Sequence, residues 1–472
     1  MTGSPQHEHV NLDASERKRL IILVCTILAF AVMNGTMFNV AIPDIAASFN
    51  LSPSEVSWVL TGYILVFAIG SLMYGKLADI YPIKTLFTVG ISIFSLGAFI
   101  GFLSPNYPTL LAARILQAVG GATIPALAFI VPIRFLPKEK GRVFGLISST
   151  VAFASGVGPI IGGVVGGTLN WRFLFLFSVA TALAIPLFRK WLPDEERREG
   201  SIDLPGALLM AISVASLLFY ITTFLWYLLV IFIVFFFLFL WRTFTIMHPF
   251  IDPVILKNTK YTVTVLTSFL GTSALFGLIF VIPIMLRELN GLSTLNIGLV
   301  LFPGAMAAGL IGQAGGKIIE QKGPTFVVKV ALLLIAGGSF FISTFSGFNP
   351  WVIVPCLLIA YLGFPLIQSS TADLLSSILP DNQNGVGMGV FNLLNFLAGA
   401  FSSAIFGRLL DMKNVAFTMN PLSRTGDNLI YSNLYLGLTL IALIAFSVFT
   451  LKFMSKREKA LSESSVYRNE QL

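Results

Sequence analysis

Fourteen apolar runs of about twenty residues, separated mostly by short polar turns, leave this chain few ways to fold. A run of about 20 apolar residues is long enough to cross the hydrocarbon core of a bilayer as a helix. The runs lie near 20–41, 56–76, 85–103, 108–131, 143–166, 173–192, 204–223, 225–244, 262–286, 295–315, 325–345, 350–370, 386–408 and 431–452. The connector of the seventh and eighth, around Thr222-Thr223-Phe224, is very short, and a single re-entrant segment there would change the count. Charged residues make up 11% of the chain and mean hydropathy is +0.87. A soluble domain carries about 25% charged residues, so lipid is the main solvent of this one.

Basic residues set the expected orientation. Arg17, Lys18 and Arg19 precede the first run, and Lys76, Lys84, Arg134, Lys138, Lys140, Arg142, Arg189, Lys190, Arg197 and Arg198 follow even-numbered ones. Arg242, Lys257, Lys260, Lys317, Lys322, Lys329 and the tail from Lys452 to Arg468 continue the series. The alternate loops hold only Arg172, Arg287, Arg408, Lys413 and Arg424. Both termini are therefore expected in the cytoplasm, with a multi-pass chain in the cell membrane. The net charge of +8 is a topology signal, and no nucleic-acid partner is expected.

Enzyme chemistry finds little support. Cys25 and Cys356 lie in apolar runs without CxxC spacing, and His7, His9 and His248 are scattered. No phosphate-binding GxxxxGK[ST] segment is present, so neither a metal, a cofactor nor ATP-driven transport is expected.

The fifth run contains Ala154-Ser155-Gly156-Val157-Gly158-Pro159-Ile160-Ile161-Gly162-Gly163. Small residues four apart let two helix backbones approach closely in lipid. Pro159 removes one internal hydrogen bond and bends the helix. A pivot between moving halves and a static packing seam both fit that pattern.

An internal echo predicts a duplicated architecture. Gly75-Lys76-Leu77-Ala78-Asp79, then Lys84, ends the second run; Gly316-Lys317-Ile318-Ile319-Glu320, then Lys322, ends the tenth. The predicted layout is a tail (1–19), a six-helix bundle (20–192), a charged linker with two extra spans (193–258), a second six-helix bundle (259–452) and a polar tail (453–472).

These segments together resemble the major facilitator superfamily, in particular its fourteen-span drug:proton antiporter branch. Asn34 through Pro43 is similar to that branch's first-helix motif, and Gly75 through Lys84 to its loop motif. Arg114-Ile115-Leu116-Gln117-Ala118-Val119-Gly120-Gly121 is similar to the fourth-span motif, with Ala118 in place of glycine. Gly158-Pro159-Ile160-Ile161-Gly162-Gly163 resembles the fifth-span antiporter motif. Trp171-Arg172 and Asp203-Leu204-Pro205-Gly206 also sit where the branch has similar residues. Tyr74-Gly75-Lys76-Leu77, Pro125-Ala126-Leu127 and Tyr431-Ser432-Asn433-Leu434 look most like Gram-positive tetracycline exporters. Where those exporters have embedded glutamates, this chain aligns Gly35, Ser155 and Gly399, and Asn34 replaces the branch's first-helix aspartate.

The resemblance implies an all-α major facilitator fold and the pivot reading of Gly158, Pro159, Gly162 and Gly163. It also implies a cytoplasmic gate at Gly75, Asp79 and Lys84, with Glu320 as its weaker counterpart. An ionisable group inside a span marks a functional site. Arg114 is the clear one, with Gln117 one helical turn along; the resemblance assigns Arg114 to proton translocation, and a structural arginine is the alternative. Of the acids Asp44, Glu288, Asp373 and Asp411, all near span ends, Asp373 is the favoured proton carrier. Asn34, Asn39, Tyr63, Gln117, Ser155, Asn392 and Asn395 are the candidate lining of a substrate cavity near the midplane.

The expected activity is proton-driven export of amphipathic, drug-like compounds, tetracycline-type molecules among them, by alternating access and by a monomer. Export of one endogenous metabolite or lipid-like molecule, and a non-transporting membrane sensor of the same fold, are the alternatives.

Overall fold

The computed structural model describes residues 13–136, 139–198, 203–246, 249–251, 257–379, 381–412, 417–423 and 429–453. Both tail segments beyond these limits, with His7, His9, Lys138, Glu199, His248, Lys413, Arg424 and Lys456 to Arg468, lie outside the described residues, as do the side chains of Lys140, Arg142 and Asp381. Among the described residues every regular element is helical, and fourteen helical segments are long and apolar enough to cross a membrane.

The first two spans show how sequence sets these helices. Span one, Ala14–Phe49, starts at a capping box in which Asp13 and Glu16 satisfy each other's backbone amides. It stops at Asn50, whose φ of 53° suits asparagine. Span two, Pro53–Ile80, repeats the device with Ser52 and Glu55 and places Pro53 in its first turn, where no intrahelical donor is lost. Spans three, four and five are Ile83–Phe102, Tyr107–Phe135 and Ser149–Thr168, the last being the end of a longer helix, Lys140–Thr168.

The disputed pair resolves into two separate helices, Leu204–Thr223 and Trp226–Thr245, joined by a turn with Phe224 in the left-handed region. Span six is less regular than its hydropathy suggests. Trp171–Trp191 alternates 3-10 and α turns, with a 3-10 stretch at Ala180–Ala184. Spans nine to fourteen are Thr259–Asn290, Thr294–Ile311 (within the helix Thr294–Lys322), Pro324–Phe345, Pro350–Ile378, Gly387–Leu410 and Leu429–Phe453.

Two long seams join the first six spans to the last six: span five lies against span ten, and span two against span thirteen. Span seven packs on spans two and thirteen, with span eight outside it. Few side chains of span eight are buried, and Trp226, Phe237, Trp241 and Phe244 project outward as a lipid-facing surface would.

Span five carries small residues on two faces. Gly158 and Gly162 face span one; a Cβ at Gly162 would lie 2.5 Å from the Met37 carbonyl oxygen. Gly156, Gly163 and Gly167 face span ten, where a Cβ on Gly298 would stand 2.5 Å from the Pro159 carbonyl oxygen. Only glycine allows backbones this close. The helix continues through Pro159 without interruption. The small-residue segment therefore lies at the junction of the two halves, held to its own half by one face and to the other half by the opposite face.

Candidate functional site

The buried charge of the first half is Arg114, 1% exposed on span four. Its Nη1 donates to Gln117 Oε1 at 2.8 Å and to Asn34 Oδ1 at 3.1 Å, and its Nε donates to the Val59 carbonyl at 3.3 Å. Gln117 follows Arg114 by three residues, so helical geometry alone brings the two together. Asn34 comes from span one and is fixed in turn by donating from Nδ2 to Ser178 Oγ of span six at 2.7 Å. The guanidinium carbon stands 4.3 Å from the Phe38 ring centre and 4.1 Å from that of Tyr63. Cations attract aromatic faces, most strongly when desolvated.

This cluster has unfilled hydrogen-bonding capacity. Arg114 Nη2, Gln117 Nε2 and Tyr63 Oη are all buried without a partner. Among the described residues Arg114 forms no ion pair. A buried cation lacking a counter-ion is costly, and unmet donors add to that cost.

The second half carries a neutral counterpart. Asn395 Oδ1 on span thirteen accepts from Ser268 Oγ at 2.9 Å and Thr272 Oγ1 at 3.2 Å on span nine. Gln368 of span twelve donates to Thr272 at 3.1 Å and accepts from Asn395 Nδ2 at 3.4 Å, and Thr371 donates to Ser268 at 3.3 Å. An aromatic path leads from the Arg114 cluster to span thirteen, where Phe396 follows Asn395 in sequence. Tyr63 stacks on Phe67 at 5.7 Å, and Phe67 meets Phe396 of span thirteen edge-on at 5.2 Å.

The remaining predicted residues are dispersed. Asn39 and Ser155 are half-buried, Asn392 is exposed, and none of them joins either network. Asp373 is exposed near the end of span twelve, so the favoured proton carrier is not within the buried clusters. At the end where the described chain begins with Asp13 and stops with Phe453, Asp79 and Lys84 take different partners. Asp79 is 3.9 Å from Arg134, which bonds more closely to Glu195 at 3.1 Å and the Ala78 carbonyl at 2.9 Å. Lys84 pairs with Asp194 at 2.6 Å, and the Ile83 amide donates to Glu195. The linker after span six thus holds the loop, and these contacts stay on the first-half side. Gly75 has open space beside it, and Glu320 is exposed without an ion pair to a described residue.

Sequence reasoning did not find the contacts at the opposite end. Asp44 of span one pairs with Arg287 of span nine at 2.7 Å, and Thr294 bonds to both. The Ser54 amide donates to Asp411, which Arg408 also pairs. Glu288 accepts from Tyr431 Oη at 2.6 Å. A cavity of about 310 Å³ opens there between the halves, lined by Pro43, Pro53, Ile284, Arg287, Glu288 and Asp411. The signal was present as the acids near span ends, but the cross-half partners lie far away in sequence: Arg287 is 243 residues from Asp44, and Ser54 is 357 from Asp411.

The fold and these clusters define a polytopic helical membrane protein built from two halves, each with its own buried polar centre. The chain belongs to the Major Facilitator Superfamily, whose model matches residues 24–403, and it is a transporter of that superfamily. It is 27% identical to the riboflavin transporter RibZ of Clostridioides difficile, over 94% of this chain and 99% of that one. It is 25% identical to the lincomycin resistance protein LmrB of Listeria monocytogenes, over 78% and 81% respectively. Among solved structures it superposes on a bacterial homologue of the human lysosomal transporter Spinster with a TM-score of 0.67 at 14% identity, over 93% of this chain and 97% of that one.

Proposed function

We propose that this transporter exports an amphipathic aromatic small molecule across the cell membrane, in exchange for protons, by alternating access. The observation that carries the reading is the Phe67–Phe396 contact, which carries the aromatic side of the Arg114 cluster across to span thirteen, the helix that also bears Asn395. A substrate site between halves needs polar groups on both sides and a boundary that can part. Phe38, Tyr63, Phe67 and Phe396 supply apolar surface, and Gln117 and Arg114 supply unused donors. With the termini in the cytoplasm, as the basic loops favour, the end sealed by Asp44 and Arg287 is the outer one. The outward direction rests on the likeness of Gly158 to Gly163 to the antiporter motif.

A single endogenous metabolite is the second reading, favoured by the riboflavin transporter's match along its whole length. Inverted vesicles with an imposed pH gradient test both, with tetracycline, lincomycin, riboflavin and a cationic dye as substrates. Gradient-dependent uptake of one or more uncharged or anionic aromatic compounds is expected. Uptake of riboflavin alone selects the metabolite reading. No gradient-dependent uptake of any of the four overturns proton-driven export.

A further inference from the structure

Arg114 is a permanent charge whose surroundings supply no opposite one. Its neighbours are two neutral amides (Asn34 and Gln117), one backbone carbonyl and two aromatic faces, and none carries a formal negative charge. The acids Asp44, Glu288 and Asp411 are held at the far end by Arg287, Tyr431 and Arg408. The chain therefore desolvates a guanidinium and leaves Nη2, the Gln117 amide nitrogen and the Tyr63 hydroxyl unbonded around it. All three can donate, and a carboxylate or sulfonate can accept from several donors at once.

We propose that the transported molecule provides the missing counter-charge, so that this transporter selects aromatic organic anions and Arg114 holds the anionic group. The proposal rests on the transporter reading above and names its substrate class. Tyr63 is the lid of this subsite. Its ring covers the guanidinium and stacks on Phe67, which in turn meets Phe396 in the opposite half. Separation of spans two and thirteen removes the support of Phe67 and frees Tyr63 to swing aside as the anion enters and then to return its hydroxyl to the bound group. The charge is then uncovered only when the halves part along this seam. Asn34 matters because it is neutral: an aspartate there would fill the vacancy with an internal ion pair and compete with the substrate.

The test uses full-length protein in nanodiscs and three probes on one aromatic frame: 1-naphthoate, the neutral 1-naphthamide and 1-naphthylmethylammonium. Wild type is expected to bind 1-naphthoate at least tenfold tighter than the amide and the ammonium more weakly than either. Asn34→Asp should remove the preference for 1-naphthoate, and Arg114→Gln should equalise 1-naphthoate and the amide. Equal affinity of wild type for the three probes overturns the proposal, whether or not either variant folds. So does an anion preference that survives both substitutions. Gradient-driven transport of a neutral amphipath without anion preference overturns the anion subsite and leaves the transporter reading standing.

Discussion

Asp44 and Arg287 meet at 2.7 Å across the boundary between the halves, with Thr294 bonded to both. Among the described residues this is the ion pair that joins the first six spans to the last six, whereas the pairs around Arg17, Lys84 and Arg134 at the other end stay within the first half and its linker. Each partner is partly exposed, which limits the pair to about 1 kcal/mol. That is still about a fivefold change in a two-state equilibrium.

Asp44→Asn is therefore expected to shift the population toward opening at this end by about fivefold. Spin labels at Ala47→Cys and Asn296→Cys, both exposed positions, would read it as growth of a longer inter-label distance. The charge swap Asp44→Arg with Arg287→Asp should restore the short distance. An unchanged distance distribution in Asp44→Asn would contradict the assignment of this pair as a seal.

Gly162→Leu should be poorly tolerated, because its Cβ would already lie 2.5 Å from the Met37 carbonyl oxygen. Overpacking of this kind costs about 1–3 kcal/mol, read as a lower unfolding temperature in detergent. Gly437→Ala, with open space beside it, is the control and should change little.

Asp203 caps span seven through the Gly206 amide at 2.9 Å, pairs with Arg242 of span eight at 2.6 Å and accepts from the Phe250 amide at 3.1 Å. Asp203→Ala removes the cap and leaves Arg242 without that partner, at a cost of about 1–2 kcal/mol. Limited proteolysis should then cut first in the segments flanking spans seven and eight. Wild-type resistance in this variant would mean that lipid contact alone holds the pair.

Much of this fold is legible in the sequence because lipid imposes one rule on every span. The apolar runs locate the helices, and Asp13, Ser52 and Pro53 announce where two of them begin. The 3-10 stretch at Ala180–Ala184 is not legible, since apolar composition is the same in either helix type. Within the site, Arg114 and Gln117 are readable as a pair because three residues on one helix share a face. Tyr63, Phe38 and Ser178 join them only through tertiary packing. The partners of Asp79 and Lys84 are not legible, because Arg134, Glu195 and Asp194 come from other elements of the fold.

Arg114→Met separates a functional charge from a structural one. A buried cation without a counter-ion burdens the fold, so an apolar side chain of similar length should hold or raise the unfolding temperature. Reconstituted transport of an aromatic substrate, measured beside thermal unfolding on the same preparation, is the most direct test of the central claim. The account predicts that Arg114→Met keeps wild-type stability or exceeds it while transport falls at least tenfold. Wild-type transport in the variant, or a loss of transport matched by a loss of stability, would contradict it.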